Sequence, residues 1–276
     1  MHKLTKHLST ILLGLFITSL FSMLANPTVP IIKNNLEKIE GIIFDLRLNT
    51  TLPDTPRTSD HNIFIVDIDE KALEQIGRWP WSRATIKDLV IKLMDAGVVV
   101  VGFDVIFAEP EVNPVDKIVE AGGFEDESPE YIESLRYKLD ADRLMAETIA
   151  DYDVVLGALF QDDENVDVGE LKTTPIVMLD ASAVRVTGMS FQGKVSNIDI
   201  LQNAAMGQGF FNSAPDLDGS IRRAALLIEH KGVLYPSLAV ETARLYTLSE
   251  EVSVETEPLP YSPNLHSITA IKFGVN

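Results

Sequence analysis

Two apolar runs of the chain end in aspartates. Asp67 and Asp69 end the first run, and Asp104 ends the second. If the runs form neighbouring parallel strands, these carboxylates lie where open α/β sheets place their ligand crevice. Carboxylate oxygens bind divalent cations, so together with Asp216 and Asp218 they could serve a metal-dependent hydrolase of phosphate esters. The alternative is that an aspartate at a strand end caps the helix that follows, and we favour this second interpretation.

Both tryptophans lie in one seven-residue stretch that also carries two arginines. Residues 77–83 read Gly-Arg-Trp-Pro-Trp-Ser-Arg, with the indoles at Trp79 and Trp81. The intervening proline fixes its own φ and directs Trp79 towards an extended conformation, so both indoles are held in place. They could line a ligand site or fill the base of a hydrophobic core, and the sequence leaves both interpretations open.

Arginines stand out in this acidic chain because they lie beside the predicted crevice loops. Arg78 and Arg83 flank the tryptophans, and Arg222 and Arg223 follow a turn with the sequence Asp-Leu-Asp-Gly. Their guanidinium groups could bind an anionic ligand or pair inside the protein with Asp67, Asp104, Asp216 and Asp218, and we favour internal pairing. The candidate ligand-binding residues, taken together, are Asp67, Asp69, Arg78, Trp79, Trp81, Arg83, Asp104, Asp216, Asp218 and Arg222.

The composition excludes several classes of protein and of site. With 276 residues, 46% of them hydrophobic, the chain is long enough for one large domain or two smaller ones. A formal net charge of −18 argues against nucleic-acid binding, which draws its affinity from clustered lysine and arginine. The absence of cysteine excludes disulfides, thiolate catalysis and zinc sites built on cysteine. Because the sequence also lacks a glycine-rich phosphate loop and paired histidines at ligand spacing, we expect no catalytic residues, no metal and no cofactor.

The first 26 residues have the pattern of an export signal. A basic start at residues 1–7 is followed by an uncharged apolar run, which we assign to a membrane segment at residues 8–26. The run is at the lower limit for a spanning helix and long for a cleaved signal peptide, and its small-residue cleavage pattern is poor. We therefore favour an uncleaved signal anchor in the inner membrane over a cleaved signal peptide. The positive-inside rule then places the rest of the chain outside the cytoplasm.

The apolar spacing predicts an α/β fold with a mixed, largely parallel sheet flanked by helices. Residues 30–48 repeat apolar side chains at three- and four-residue steps, which predicts an amphipathic juxtamembrane helix within a segment at 27–50. Residues 49–62 carry several prolines, threonines and aspartates and predict a linker. A strand at 63–69, a helix at 70–75, a Ser82-capped helix ending at Met94 and a strand at 98–104 would then form a βαβ unit.

Later segments continue the alternation of strands and helices. Residues 109–133 predict an exposed acidic insertion, and 161–169 an acidic loop in which the calcium-binding spacing is incomplete. The remaining expected elements are a helix at 133–152, a strand at 154–160, a helix at 196–205, strands at 207–212 and 222–229 joined by a tight Asp-Gly turn, a strand at 233–235, a helix at 237–248 and a strand at 268–273.

Several segments, in their order and spacing, resemble a known family. They are residues 44–47 (Phe-Asp-Leu-Arg), 65–69 (Ile-Val-Asp-Ile-Asp), 77–83, 102–110 (Gly-Phe-Asp-Val-Ile-Phe-Ala-Glu-Pro), 216–223 (Asp-Leu-Asp-Gly-Ser-Ile-Arg-Arg) and 235–239 (Tyr-Pro-Ser-Leu-Ala). In these segments the chain resembles the second type of CHASE domain, the cyclase- and histidine-kinase-associated sensory extracellular domain of bacterial receptors. The resemblance spans nearly everything between residues 40 and 245.

The resemblance implies an extracytoplasmic sensor domain, here residues 51–276, of a membrane-anchored receptor. Such domains are usually followed by more transmembrane helices and a cytoplasmic output, which would lie beyond Asn276. That output is commonly a class III adenylate or guanylate cyclase, a histidine kinase or a diguanylate cyclase. We expect the chain to bind an unknown small-molecule or protein signal, to pass it across the membrane and to have no enzyme activity of its own. Two other classes stay open, namely the metal-dependent hydrolase and a structural dimerisation module in which the helix at 30–48 pairs across a two-fold axis in a homodimer.

Overall fold

The chain divides into two compact units. The computed structural model describes residues 2–24, 30–51, 62–178, 185–186, 188–259 and 262–274. Unit 1 comprises Met1–Asp67 and Ala214–Arg223, and unit 2 comprises Ile68–Ser213 and Ala224–Asn276. The loop Ala214–Arg223 therefore belongs with the N-terminal helices, although it lies far along the chain. Most of the predicted linker at 49–62 lies outside the described residues.

Unit 1 is built mainly from two helices, α1 (His2–Leu24) and α2 (Pro30–Thr51). The second confirms the helix predicted at 30–48, and it begins with proline, whose fixed φ suits the first helical position. Among the described residues there is no helix with both the length and the apolar character that crossing a membrane requires. The anchor at 8–26 stays a prediction from the sequence.

The strand predicted at residues 63–69 is wrong. The segment has no regular secondary structure up to Asp69, and the apolar side chains of residues 63–66 are exposed, Ile65 by 92%, while Ile68 is half-buried against the core. β-branched residues favour an extended backbone, but a strand also needs a neighbour that shares its ladder of hydrogen bonds. Pairing depends on distant parts of the chain, which local composition does not report. The predicted βαβ unit consequently lacks its first strand.

The described strands of unit 2 form three sheets. In the first, β2 has parallel neighbours β1 and β8 and an antiparallel neighbour β7, which leads on to β3. The second sheet has the order β10-β9-β6 and the third the order β4-β11-β12-β5. The fold is thus mixed α/β as predicted, with three sheets where one was expected. In chain order the strands are β1 (Val100–Gly102), β2 (Asp153–Gln161), β3 (Asp167–Val168), β4 (Ile176–Met178), β5 (Arg185–Val186), β6 (Met189–Phe191), β7 (Gly193–Val195), β8 (Gly207–Phe210), β9 (Leu227–His230), β10 (Val233–Pro236), β11 (Val252–Leu259) and β12 (Ser262–Phe273).

Polar side chains cap six of the seven described helices of unit 2, and the sequence predicted the caps at Asp69 and Ser82. Asp69 accepts a hydrogen bond from Ala72 N at the start of α3, and Ser82 accepts one from Ala84 N at the start of α4. Gly77 ends α3 with a φ of 114°, a backbone conformation that favours glycine. The helices are α3 (Glu70–Ile76), α4 (Arg83–Asp95), α5 (Pro114–Glu120), α6 (Pro129–Lys138), α7 (Ala141–Ile149), α8 (Asp199–Ala204) and α9 (Leu238–Tyr246).

The helix predicted at 133–152 is two helices. α6 ends at Lys138, and Asp140 then caps α7 by accepting a hydrogen bond from Arg143 N at 3.0 Å. A carboxylate that bonds to backbone in this way offers an alternative to a continuous helix, so the apolar periodicity spans the break without revealing it. The acidic insertion at 109–133 is also partly helical, since α5 lies within it and buries Val115.

The strands predicted at 207–212 and 222–229 do not form a hairpin. β8 pairs with β2 in the first sheet, whereas β9 pairs with β10 and β6 in the second. The Asp-Gly turn between them is present, with Gly219 N donating to Asp216 O at 2.8 Å. Near the C-terminus, the strand predicted at 268–273 is the end of the longer β12, which pairs with β11. The turn and the C-terminal strand are therefore confirmed, whereas the predicted pairing of the strands on either side of the turn is wrong.

Candidate functional site

The two tryptophans of residues 77–83 have different environments. Trp81 is 8% exposed, and its indole Nε1 donates to the carbonyl oxygen of Gly77 at 2.8 Å. Trp79 is 37% exposed and meets Trp81 edge to face, with the ring centroids 5.7 Å apart. Trp81 packs in the main core cluster beside Ile86 and Phe107. The core interpretation is therefore correct for Trp81, and only Trp79 offers an accessible aromatic face.

Arg83 joins three neighbouring segments of unit 2. Its guanidinium group donates to Glu109 O at 2.9 Å and lies 4.6 Å from the centre of the Phe107 ring. Its Nε lies 3.2 Å from Asp142 Oδ1 at the start of α7, and its backbone N–H donates to Glu111. Burial raises the pKa of Asp142, although the backbone N–H of Glu111 and the charge of Arg83 act in the opposite direction. Arg83 is thus engaged inside the unit.

The aspartates at the ends of the two apolar runs do not assemble a metal site. Asp69 caps α3, as the second interpretation of the sequence predicted. Asp67, Asp104 and Arg78 are exposed. Within the described ranges, no three histidine or carboxylate side chains lie close enough together to hold a metal ion. The hydrolase interpretation therefore has no supporting geometry in this part of the chain.

An ionic cluster of three aspartates surrounds Arg222 in unit 1. Its Nε and Nη2 donate to the two carboxylate oxygens of Asp45 on α2, each at 2.8 Å. Its other bonds reach Asp216 at 2.9 Å and both carboxylate oxygens of Asp218 at 3.0 and 2.8 Å. Only 8% of the Arg222 side chain is exposed, against 73% for Arg223. We call this four-residue group the Arg222 clamp.

Hydrogen bonds in the Arg222 clamp favour the charged forms of Asp45, Asp218 and Arg222. Hydrogen bonds from Arg222 hold the pKa of Asp45 below its usual value. Other hydrogen bonds, from Arg222 and from Ser220 N, lower the pKa of Asp218 by more than that of Asp45 is lowered. In return, hydrogen bonds to Asp45, Asp218 and Asp216 raise the pKa of Arg222 well above its usual range. Bidentate pairs of this kind are directional, because the planar guanidinium fits a carboxylate edge to edge.

The structure brings some of the predicted site residues together. Asp216, Asp218 and Arg222 meet in unit 1, and Trp79, Trp81 and Arg83 lie in or beside one segment of unit 2. The predicted internal pairing is correct for Arg222, which binds Asp216 and Asp218, whereas Arg83 pairs with Asp142 and with none of the four expected aspartates. Asp45 and Asp142 were missed as partners, although Asp45 stands in a segment that carried the family resemblance. Its only further sequence signal is the spacing Gly41-x-x-x-Asp45, which puts the small residue one turn before the carboxylate on the same helix face.

A shallow depression of about 320 Å³ lies in unit 2. Its lining includes Met94, Tyr152, Asp153 and Met206. Asp153 is the first residue of β2, so the depression is at the amino ends of the parallel strands. The predicted crevice was at their carboxyl ends. The depression therefore adds no member to the predicted set of residues.

In the described part of this acidic α/β chain, Arg83 and Arg222 are held in ion pairs, and Asp69 and Asp140 cap helices. The model of the CHASE2 domain matches residues 14–273, so the chain belongs to this family of sensory extracellular domains, and the resemblance seen in the quoted segments is confirmed. Comparisons with curated proteins and with solved structures found no match.

Proposed function

We propose that this chain is the extracytoplasmic sensor of a membrane-anchored bacterial receptor, which binds a signal and passes it to a cytoplasmic output. Residues 8–26 would anchor the chain in the inner membrane, with the basic residues 1–7 in the cytoplasm. A class III nucleotide cyclase is the output we favour. Membership of a sensory extracellular family supports the sensor role, and the uncharged apolar run behind a basic start supports the anchor.

The Arg222 clamp is the observation that carries the proposal. α2 follows the proposed anchor in the sequence, and the loop Ala214–Arg223 continues at both of its ends into unit 2. A signal that displaces Ser213 or Ala224 therefore moves the loop as well. Because Arg222 holds Asp45 by two parallel hydrogen bonds, a movement of the loop is transmitted to α2 instead of being lost in side-chain rotation.

The signal would contact exposed side chains among those that the sequence singled out. In unit 2 these include Arg78, Trp79 and Asp104. Trp79 is the most useful of them experimentally, because a molecule that covers its indole changes the solvent around it and so changes its emission. Trp81 is buried beside it and supplies an internal reference.

Binding can be tested by intrinsic fluorescence and thermal shift on the purified full chain. Free amino acids, dicarboxylates, sugars and divalent cations would be screened against the wild type, Trp79→Phe and Trp81→Phe. We expect at least one compound to raise the melting temperature and to shift the emission of the wild type and of Trp81→Phe, with no emission shift in Trp79→Phe. If no compound changes either quantity in the wild type, direct sensing of these classes is wrong.

Topology can be tested by cysteine labelling, since the chain has no cysteine of its own. Asp88→Cys places a thiol on an exposed position of α4, and Ala205→Cys places one at a fully buried position. We expect a membrane-impermeant maleimide to label Asp88→Cys in intact cells and to leave Ala205→Cys unlabelled. Labelling of Asp88→Cys only after cell lysis would contradict an extracytoplasmic location.

A further inference from the structure

The apolar residues of α2 form a continuous stripe that the described part of the chain leaves exposed. Leu36, Ile39, Ile43 and Leu46 follow one another at steps of three, four and three residues, the spacing of the a and d positions of a coiled coil. Their exposed fractions lie between 47% and 64%. Side chains at these steps share one helix face, so four large apolar groups face solvent together. We call these four residues the α2 seam.

The Arg222 clamp occupies the opposite face of α2. Asp45 is bound by Arg222, and a methyl group added at Gly41 would lie 3.3 Å from the guanidinium carbon. At 3.6 residues per turn, Gly41 and Asp45 lie about 160° around the helix from the middle of the α2 seam. The loop that carries Arg222 therefore contacts the face of α2 opposite the α2 seam and does not cover the seam.

We propose that the α2 seam pairs with the α2 seam of a second copy of this chain, parallel and in register. The a/d spacing is the pattern by which one helix packs its side chains into the spaces of a similar helix. An identical seam is its natural complement, because each apolar layer then meets the same layer of the other copy. This inference goes beyond the proposed function, since pairing of α2 does not depend on the binding of any signal.

The charges beside the α2 seam favour the parallel orientation. In an antiparallel pair with Leu36 opposite Leu46, the e positions face one another, and Glu40 would lie against the second copy's Glu40. In a parallel pair the g position of one helix faces the following e position of the other. Ile42 then lies beside the second copy's Arg47, whose aliphatic stem can cover it. The parallel arrangement avoids the like-charge contact.

The length of α2 sets the strength of the pairing. Its 22 residues span roughly 33 Å, and the α2 seam covers only about two heptads of it. Coiled coils this short associate weakly unless their chains are held at high local concentration. The pair is consequently reversible, and covalent trapping detects it better than a measurement at equilibrium.

Disulfide trapping tests the proposal on the full, cysteine-free chain. Single variants Ile39→Cys and Ile43→Cys lie in the α2 seam, and Lys38→Cys and Leu48→Cys are matched controls on other faces of the same helix. Catalysed oxidation should trap dimers at the seam positions roughly tenfold faster than at the control positions, because only there do the two Cα atoms come within disulfide reach. Equal rates at all four positions, or no dimer at any of them, would overturn the proposal.

A mixed pair of variants distinguishes the two orientations. Leu36→Cys mixed with Leu46→Cys should give little heterodimer if the helices are parallel, whereas each variant alone should give homodimer. Efficient heterodimer with no homodimer would show an antiparallel pair and contradict the proposed arrangement. As a second measurement without disulfides, Ile43→Asp should abolish the dimer seen by light scattering in concentrated samples, and Leu48→Asp should leave it intact. A dimer that survives Ile43→Asp would also overturn the proposal.

Discussion

Arg83 and Arg222 are both engaged in ion pairs, but they lie in different kinds of structural environment. Both are arginines beside predicted crevice loops, and both side chains are largely buried. Arg83 lies within unit 2, where it joins backbone and side-chain groups of α4, the segment after β1 and α7. Arg222 lies in unit 1, and among the described residues its guanidinium group bonds to three carboxylates, one of them on α2.

The difference between the two arginines lies in what each one holds. The contacts of Arg83 include an aromatic face and a backbone carbonyl. Its loss therefore exposes these groups or leaves them without a partner inside a packed unit. The bonds of Arg222 are ionic and end on carboxylates that are partly accessible to solvent, so the same substitution there releases a helix rather than opening a core. An arginine of the first kind maintains a fold, and one of the second kind can relay a movement.

The largest effect is expected from Arg83→Met. The substitution leaves Asp142 buried without its cation, and breaking a buried pair on one side typically costs about 3 kcal/mol or more. Chemical denaturation of the wild type and the variant measures the loss, with Arg78→Met as the control on an exposed arginine of the same segment. Asp142→Asn added to Arg83→Met should recover part of the stability, because the unpaired carboxylate is then gone. Equal stability of Arg83→Met and Arg78→Met would contradict the structural role.

A smaller effect is expected at the tryptophans that precede Arg83. Trp81→Phe removes a hydrogen bond to Gly77 O and part of a buried ring, which should lower the free energy of unfolding by about 1–2 kcal/mol. Trp79→Phe should change it by less than about 0.5 kcal/mol, because Trp79 is at the surface. Denaturation curves of the two variants give the comparison directly. If Trp79→Phe were the more damaging change, residues 77–83 would not divide into a structural part and an accessible part.

The local features of both arginine sites could be predicted from the sequence. Asp69 and Ser82 cap their helices as expected, since capping needs only a side chain and a backbone N–H a few residues away. The Asp-Gly turn before Arg222 is local in the same way. Such interactions are decided within one turn of chain, where residue type and spacing carry the necessary information.

Asp216 and Asp218 were predicted as partners of Arg222, but Asp45 and Asp142 could not be predicted, because these contacts join distant segments. Asp45 and Arg222 are 177 positions apart, and nothing in the residues around either one specifies the other. The same limit explains the segment at 63–69, whose composition indicates an extended backbone but not whether a neighbouring strand is available. The sequence therefore reveals which residues can form ion pairs or caps, but it does not reveal which distant residues contact one another.

Arg222→Gln should loosen α2 without unfolding unit 2. Three carboxylates lose their common cation, and α2 loses its two hydrogen bonds from the loop. Because partly solvated ion pairs contribute modestly, we expect amide hydrogens of α2 to exchange roughly two- to fivefold faster. Arg223→Gln is a matched control with one long ion pair to Asp216. Exchange in α2 that is equally fast in both variants would show that the Arg222 clamp does not restrain the helix.

The smallest effect, and the most discriminating, is the response of the two regions to acid. Arg222 lowers the pKa of Asp45 and Asp218, so the stability that these ionised carboxylates contribute is present above about pH 3.9, the ordinary pKa, and is lost as the pH falls through their lowered pKa. Burial raises the pKa of Asp142, so the folded state there binds its proton more tightly. The stability gained from this proton is full below about pH 3.9 and is lost as the pH rises through the raised pKa of Asp142.

Acidification should therefore act in opposite directions in the two regions. From neutral pH to about pH 4, α7 beside Asp142 should become slightly more protected, and below about pH 4, α2 beside Asp45 should become less protected. Hydrogen exchange corrected for its intrinsic pH dependence measures both helices in one experiment. Asp142→Asn should abolish the first change and Arg222→Gln the second. A change of the same sign in α2 and α7 across the whole range would mean that the two arginine sites do not differ in the way their contacts indicate.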